Sequence, residues 1–102
     1  MKGVNLGGAF RLLLTPLGRY KNKDEPMLHG MQRERTIWID PRTPDPLGTL
    51  VHELYHMQYP SMTEDEVMDA EEEWMKRATW RQRAQALMLF ARAKVASKDE
   101  MP

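Results

Sequence analysis

Apolar residues along the chain change their period at residue 46. Before it they come in short runs cut by turn formers. Phe10 to Leu14 is one such run, ended by Thr15-Pro16 and Leu17-Gly18, and it predicts a strand. Met27 to Gln32 and Thr36 to Ile39 flank Arg33-Glu34-Arg35 after the polar stretch Lys21 to Pro26, and the β-branched and aromatic content of the second run suits one arm of a hairpin. Three prolines between Asp40 and Pro46 then forbid regular structure and make a stiff connection.

From residue 46 the spacing is helical. Asp45 is placed to cap a helix with Pro46 at its first position, and Leu47, Leu50, Val51 and Leu54 fall on one face of a segment reaching Gln58. Tyr59-Pro60-Ser61 breaks it. Thr63 followed by Glu66 forms a capping box that opens a second helix, expected to run from 64 to 96 with room for a bend. A loop this short makes the two helices neighbours, crossing or antiparallel. The expectation is a single α+β domain over 1–102. An antiparallel sheet of about three strands, within residues 1–40, would pack on the 46–58 helix, followed by the long C-terminal helix.

Charge alters the picture of that last helix. The totals balance, 15 basic against 15 acidic residues, which argues against general nucleic-acid binding. The signs are nevertheless segregated: residues 64–73 carry seven acids and no base, and residues 74–98 carry seven bases and no acid, the order that a helix dipole favours. Arg77, Arg81, Arg83, Arg92 and Lys94 spread around the helix and form no single stripe, so a nucleic-acid surface ranks last among the readings. Leu87 to Phe90 is apolar all round, which fits either burial or a homodimer contact through the C-terminal helix. No apolar run reaches membrane-spanning length and the opening residues lack a convincing signal peptide, so the expected location is cytoplasmic, with no membrane partner.

With no cysteine in the chain, any metal must be held by nitrogen and oxygen. The first helix contains His52-Glu53-Leu54-Tyr55-His56. Four residues are little more than one turn, so the two imidazoles project from one face and can share an ion, and the glutamate between them can reach a water activated by it. With three histidines and nine glutamates in 102 positions, this pattern arises by chance in somewhat under about 1% of shuffled sequences. His52, Glu53 and His56 also project away from Leu47, Leu50, Val51 and Leu54. His29, on the hairpin, is read as a surface or hydrogen-bonding residue. Tyr55 and Tyr59 are candidate oxyanion stabilisers that double as packing residues.

A catalytic zinc needs a third protein ligand. On the second helix Glu71 lies within the apolar stripe of Val67, Met68, Trp74, Met75 and Ala78, where a carboxylate requires a compensating partner. Glu64 lies on the same face and is the alternative if the helices cross steeply. Level-matching of an antiparallel pair puts Glu71 first.

At these residues the chain resembles the zincin metallopeptidases, more narrowly the gluzincins, and its length brings it close to the minigluzincins. The stretch from Thr36 to Met75 is also similar to small His-Glu-x-x-His proteins of phages and prophages. The resemblance implies a zinc endopeptidase acting on extended peptide or unfolded protein. His52 and His56 would be ligands, Glu53 the general base, and Glu71 or Glu64 the third ligand. It further implies that strand Thr36–Ile39 is the rim along which substrate pairs, and that a terminal segment covers the cleft in a latent form. A thermolysin-type Asn-Glu motif is absent from the second helix. The competing reading keeps the zinc without hydrolysis, as a stabilised interaction module such as a phage host-interaction factor.

Overall fold

The hairpin turns on Glu34 and Arg35, whose φ angles of 48° and 64° both lie in the left-handed region. Two such residues make the turn whose twist matches a two-residue hairpin loop, a conformation that asparagine and glycine adopt more easily. Here neighbouring contacts hold it: Arg35 donates through Nε to the Ala9 carbonyl at 2.7 Å and accepts from the Arg11 amide at 2.9 Å. The chain is seen in a computed structural model that describes residues 3–18 and 28–102. Lys21 to Pro26 and Met27 lie outside the described residues.

The strands are β1 (Arg11–Leu14), β2 (Gly30–Arg33), β3 (Thr36–Ile39) and β4 (Lys94–Val95), and the helices α1 (Pro46–Gln58), α2 (Glu64–Arg77) and α3 (Trp80–Arg92). A short 3-10 turn, Lys98–Glu100, follows. Together they form an α+β domain around a mixed sheet ordered β2-β3-β1-β4. The hairpin β2-β3 is antiparallel, whereas β1 runs parallel to both β3 and β4.

Three expectations are corrected. The sheet is four-stranded and mixed, in place of a small antiparallel one; its fourth strand is two exposed residues, too short and too polar to carry an alternating signal. Thr36–Ile39 is no rim. It is paired on both sides, and Ile37, Trp38 and Ile39 are buried, which suits its uninterrupted apolar character. The edge next to it is β2. Finally, the long helix is two helices. Ala78 leaves helical geometry at ψ 132°, and Thr79 caps α3 reciprocally with Gln82, its hydroxyl accepting from the Gln82 amide at 3.1 Å. The guanidinium of Arg83 donates to the Met75 carbonyl, satisfying one of the acceptors that the end of α2 leaves open.

One face of the sheet packs on the helices. Ile37 and Ile39 meet Leu50, Val51, Leu54 and Tyr55 of α1, Val67, Ala70 and Trp74 of α2, and Ala86 of α3, with Leu6 closing the cluster. Leu87 to Phe90 divides: Leu89 and Phe90 turn toward this core, and Leu87 and Met88 face outward. Side chains alternate along a strand, so Leu13 and its register partner Trp38 point to the other face. There the C-terminal segment covers them. Trp38 donates its indole N–H to the Glu100 carbonyl at 2.7 Å, and Glu100 pairs with Lys94 at 3.0 Å and with Arg11.

Asp40, at the end of β3, is fully buried and fixes the proline-rich connection. Its carboxylate accepts from the Arg42 amide (2.9 Å), from the Arg42 guanidinium (2.7 and 3.0 Å) and from the Leu17 amide (3.0 Å). Those bonds hold its pKa well below the ordinary carboxylate range, the Arg42 side chain contributing most. The resulting stability is fully present above the unfolded aspartate value of about 3.9 and is lost as the pH falls from there through the folded value. Asp40→Asn is expected to cost about 2 kcal/mol at neutral pH. Urea titrations at pH 7 and pH 3 should show the gap between variant and parent narrowing at the lower pH.

Candidate metal centre

The site is assembled by an antiparallel helix pair. Asp45 caps α1, accepting from the Gly48 amide at 2.9 Å behind Pro46, so the helix starts where the proline-rich segment stops. At the other end, the turn Tyr59–Met62 reverses the chain with Met62 donating to the Tyr59 carbonyl at 3.0 Å. The Thr63–Glu66 capping box then sets the first residue of α2, and that residue is Glu64. Glu64 and Glu71 are seven residues apart, within about 20° of each other around the axis and about 10 Å apart along it. In an antiparallel pair the earlier residue of α2 meets the later one of α1. Glu64 accordingly reaches both His56 and His52, and Glu71 reaches His52 alone.

The Nε2 atoms of His52 and His56 are 3.2 Å apart. One carboxylate oxygen of Glu64 lies 2.7 Å from Nε2 of His52 and the other 2.8 Å from Nε2 of His56. On the far side of the His52 ring, Nδ1 stands 2.8 Å from Glu71 Oε1. A proton on Nδ1 shared with Glu71 leaves the Nε2 lone pair aimed at the point between the two rings and Glu64. Two imidazole nitrogens and a carboxylate this close together are held by a shared proton or by a cation between them. The spacing suits a metal ion, because two nitrogens held tetrahedrally at about 2.05 Å from zinc are about 3.3 Å apart. Among the described residues, His52, His56 and Glu64 form the one group of three side chains with ligand atoms close enough to share an ion, all within 4.8 Å.

The two glutamates stand at different sides of His52. Glu71, ranked first as third ligand from level-matching, lies on the Nδ1 side, 2.8 Å from that nitrogen. Glu64, the alternative, faces both Nε2 atoms. Straight-helix counting neglected the reach of the glutamate side chain, which spans the step from the first turn of α2 back to both imidazoles.

Glu53 lies beside this group at the base of the hairpin. Burial raises its carboxyl to about 7; His52 opposes the shift, and Glu64 and Glu71 add to it. His52 is shifted upward by its bond to Glu71, against the effect of its own burial. Both are the shifts of groups packed into one partly enclosed cluster of acids and imidazoles.

Gly30, on the edge strand β2, is a residue that reading the motif alone missed. A Cβ built there would lie 2.7 Å from Thr49 Cγ2 and 3.2 Å from Glu53 Cγ, so only glycine lets β2 pass this close to α1. The signal was a glycine opening an otherwise strand-forming run. His29, next to it, stays out of the cluster, and its buried Nδ1 has no hydrogen-bond partner among the described residues. Tyr55 is buried in the core, stacked on Tyr59 at 5.9 Å between ring centres, and Tyr59 donates its hydroxyl to the Gly3 carbonyl at 2.7 Å. These are packing roles. The C-terminal segment lies across Trp38, on the sheet face turned away from α1, and not over the histidines.

Among the described residues no helix is long and apolar enough to cross a membrane. Compared with protein-family models, curated proteins and solved structures, the chain matches none.

Proposed function

We propose that this domain is a minimal zincin-like, zinc-dependent endopeptidase, with His52, His56 and Glu64 as ligands, Glu71 as the carboxylate orienting His52, and Glu53 as general base. The observation that carries the reading is the placement of Glu64 against both Nε2 atoms at 2.7 and 2.8 Å, with those atoms 3.2 Å apart. The donor set is two imidazoles and a carboxylate, a combination typical of catalytic zinc.

When bound, zinc supplies Lewis-acid polarisation of a peptide carbonyl and acidification of a water. The chain's residues do the rest. Glu53, partly buried beside the two imidazoles, takes a proton from the attacking water on its carboxylate and delivers it to the departing amine nitrogen. Glu71 keeps a proton on Nδ1 of His52, so that Nε2 remains a donor of electrons. Among the described residues β2 is the sheet edge, where an extended peptide would add as a further strand, and Gly30 brings that edge over Glu53.

The test begins with metal. Purified protein is expected to hold about one zinc per chain by elemental analysis and to cleave a denatured protein in a reaction that a chelator stops and added zinc restores. Chain that is folded and zinc-loaded, yet leaves unfolded substrate intact under all these conditions, would refute the peptidase reading and leave the metal site standing.

A further inference from the structure

Helix α3 carries an apolar stripe that the described residues leave uncovered. At 100° per residue, Trp80, Ala84, Leu87 and Ala91 fall within about 60° of one another. Trp80 is 72% exposed, Leu87 60% and the adjoining Met88 53%, whereas the opposite side of the helix buries Ala86 and turns Leu89 to the core. The spacing is four, three, four, the repeat of a helix that packs against another helix, and bulky residues alternate with alanines along it. That alternation makes holes at Ala84 and Ala91 between knobs at Trp80 and Leu87.

The charges beside the stripe select the occupant. Arg81 and Arg92 flank it on one side, Arg81 lying over the Trp80 ring at 5.2 Å, and α3 contains no acid. A second copy pairing through α3 in the antiparallel sense would set Arg81 against Arg92 of its partner at both ends, a like-charge contact that works against self-association. A bilayer surface would gain nothing from the alanine holes. From the knob-and-hole spacing and the arginines, which pair with no acid among the described residues, we infer that α3 is a docking face for an amphipathic helix of another protein, one whose apolar stripe is bordered by acidic side chains. The inference uses none of the metal-site residues and stands independently of the peptidase reading.

The probe is a synthetic helical peptide with leucine at its a and d positions and glutamate at e and g, whose mutual repulsion keeps it from pairing with itself. Its counterpart carries lysine at e and g. Trp38 and Trp74 are buried, so their emission is constant on binding at α3 and the shift that is read comes from Trp80. The glutamate peptide is expected to shift that emission in a saturable way that weakens as salt is raised, and the lysine peptide is expected to leave it unchanged. Leu87→Asp and Arg81→Glu, both at exposed positions, should each weaken binding at least about tenfold, with circular dichroism unaltered. The inference is overturned if both peptides bind alike or neither binds. It is equally overturned if phosphatidylserine vesicles reproduce the emission shift, or if sedimentation shows the chain dimerising in a way that Leu87→Asp abolishes.

Discussion

Replacing Glu53 by glutamine is expected to lower kcat by about 10² to 10⁴-fold, the range that a positioned general base contributes, and to leave zinc content unchanged. Glutamine keeps the volume and one carbonyl oxygen but cannot accept the proton of the attacking water. The side chain lies next to Gly30 and Thr49 in a tightly occupied corner, so an isosteric change preserves packing. Its folded state should in fact gain slightly, because burial acts against the ionised carboxylate that the variant lacks. The measurement is paired: elemental zinc and initial rates on an unfolded substrate for both proteins. Unchanged rates in the variant would remove Glu53 from the chemistry.

The second large effect separates the two carboxylates of α2. On the proposed assignment Glu64→Ala removes a direct ligand, and Glu71→Ala removes only the partner of Nδ1. Loss of an outer partner costs about 10 to 100-fold in metal affinity, and loss of the ligand is expected to cost clearly more than that. Zinc at a hundredfold excess over its dissociation constant stabilises a folded protein by about 2.7 kcal/mol. The parent should therefore melt higher with zinc than with chelator, Glu71→Ala should keep part of the difference, and Glu64→Ala should lose it. Competition with a chromophoric chelator gives the affinities directly. The reverse ranking would return Glu71 to the inner sphere.

The parts of this molecule that could be read from residues alone are those with local causes. The first helix is announced by Asp45-Pro46 and its apolar face, and its boundaries are the expected ones. The pairing of His52 with His56 follows from helical pitch. The capping box at Thr63 marked the start of α2, and an equivalent signal, Thr79 with Gln82, marked α3, yet continuous helix propensity through Arg77 and Ala78 hid it. What could not be read depends on contacts distant in sequence. Parallel pairing of β1 with β3 leaves no pattern in either strand, and β4 exists because Leu14 offers it a carbonyl, not because Lys94 and Val95 favour a sheet. Which of Glu64 and Glu71 faces both Nε2 atoms depends on the angle and reach between two helices, which spacing along one helix does not encode.

The strap over Trp38 has a kinetic meaning. Arg11 and Glu100 meet although 89 positions separate them, and β4 adds to β1 only after the three helices are in place along the chain. Closing so long a loop is entropically slow compared with zipping the α1–α2 pair, whose partners are a few turns apart. On that account the histidine pair and its glutamates are expected to come together early, and the rear of the sheet to be sealed last. Under the proposed assignment, a zinc ion held there would bind before the tertiary structure is complete and so speed the organisation of the remainder.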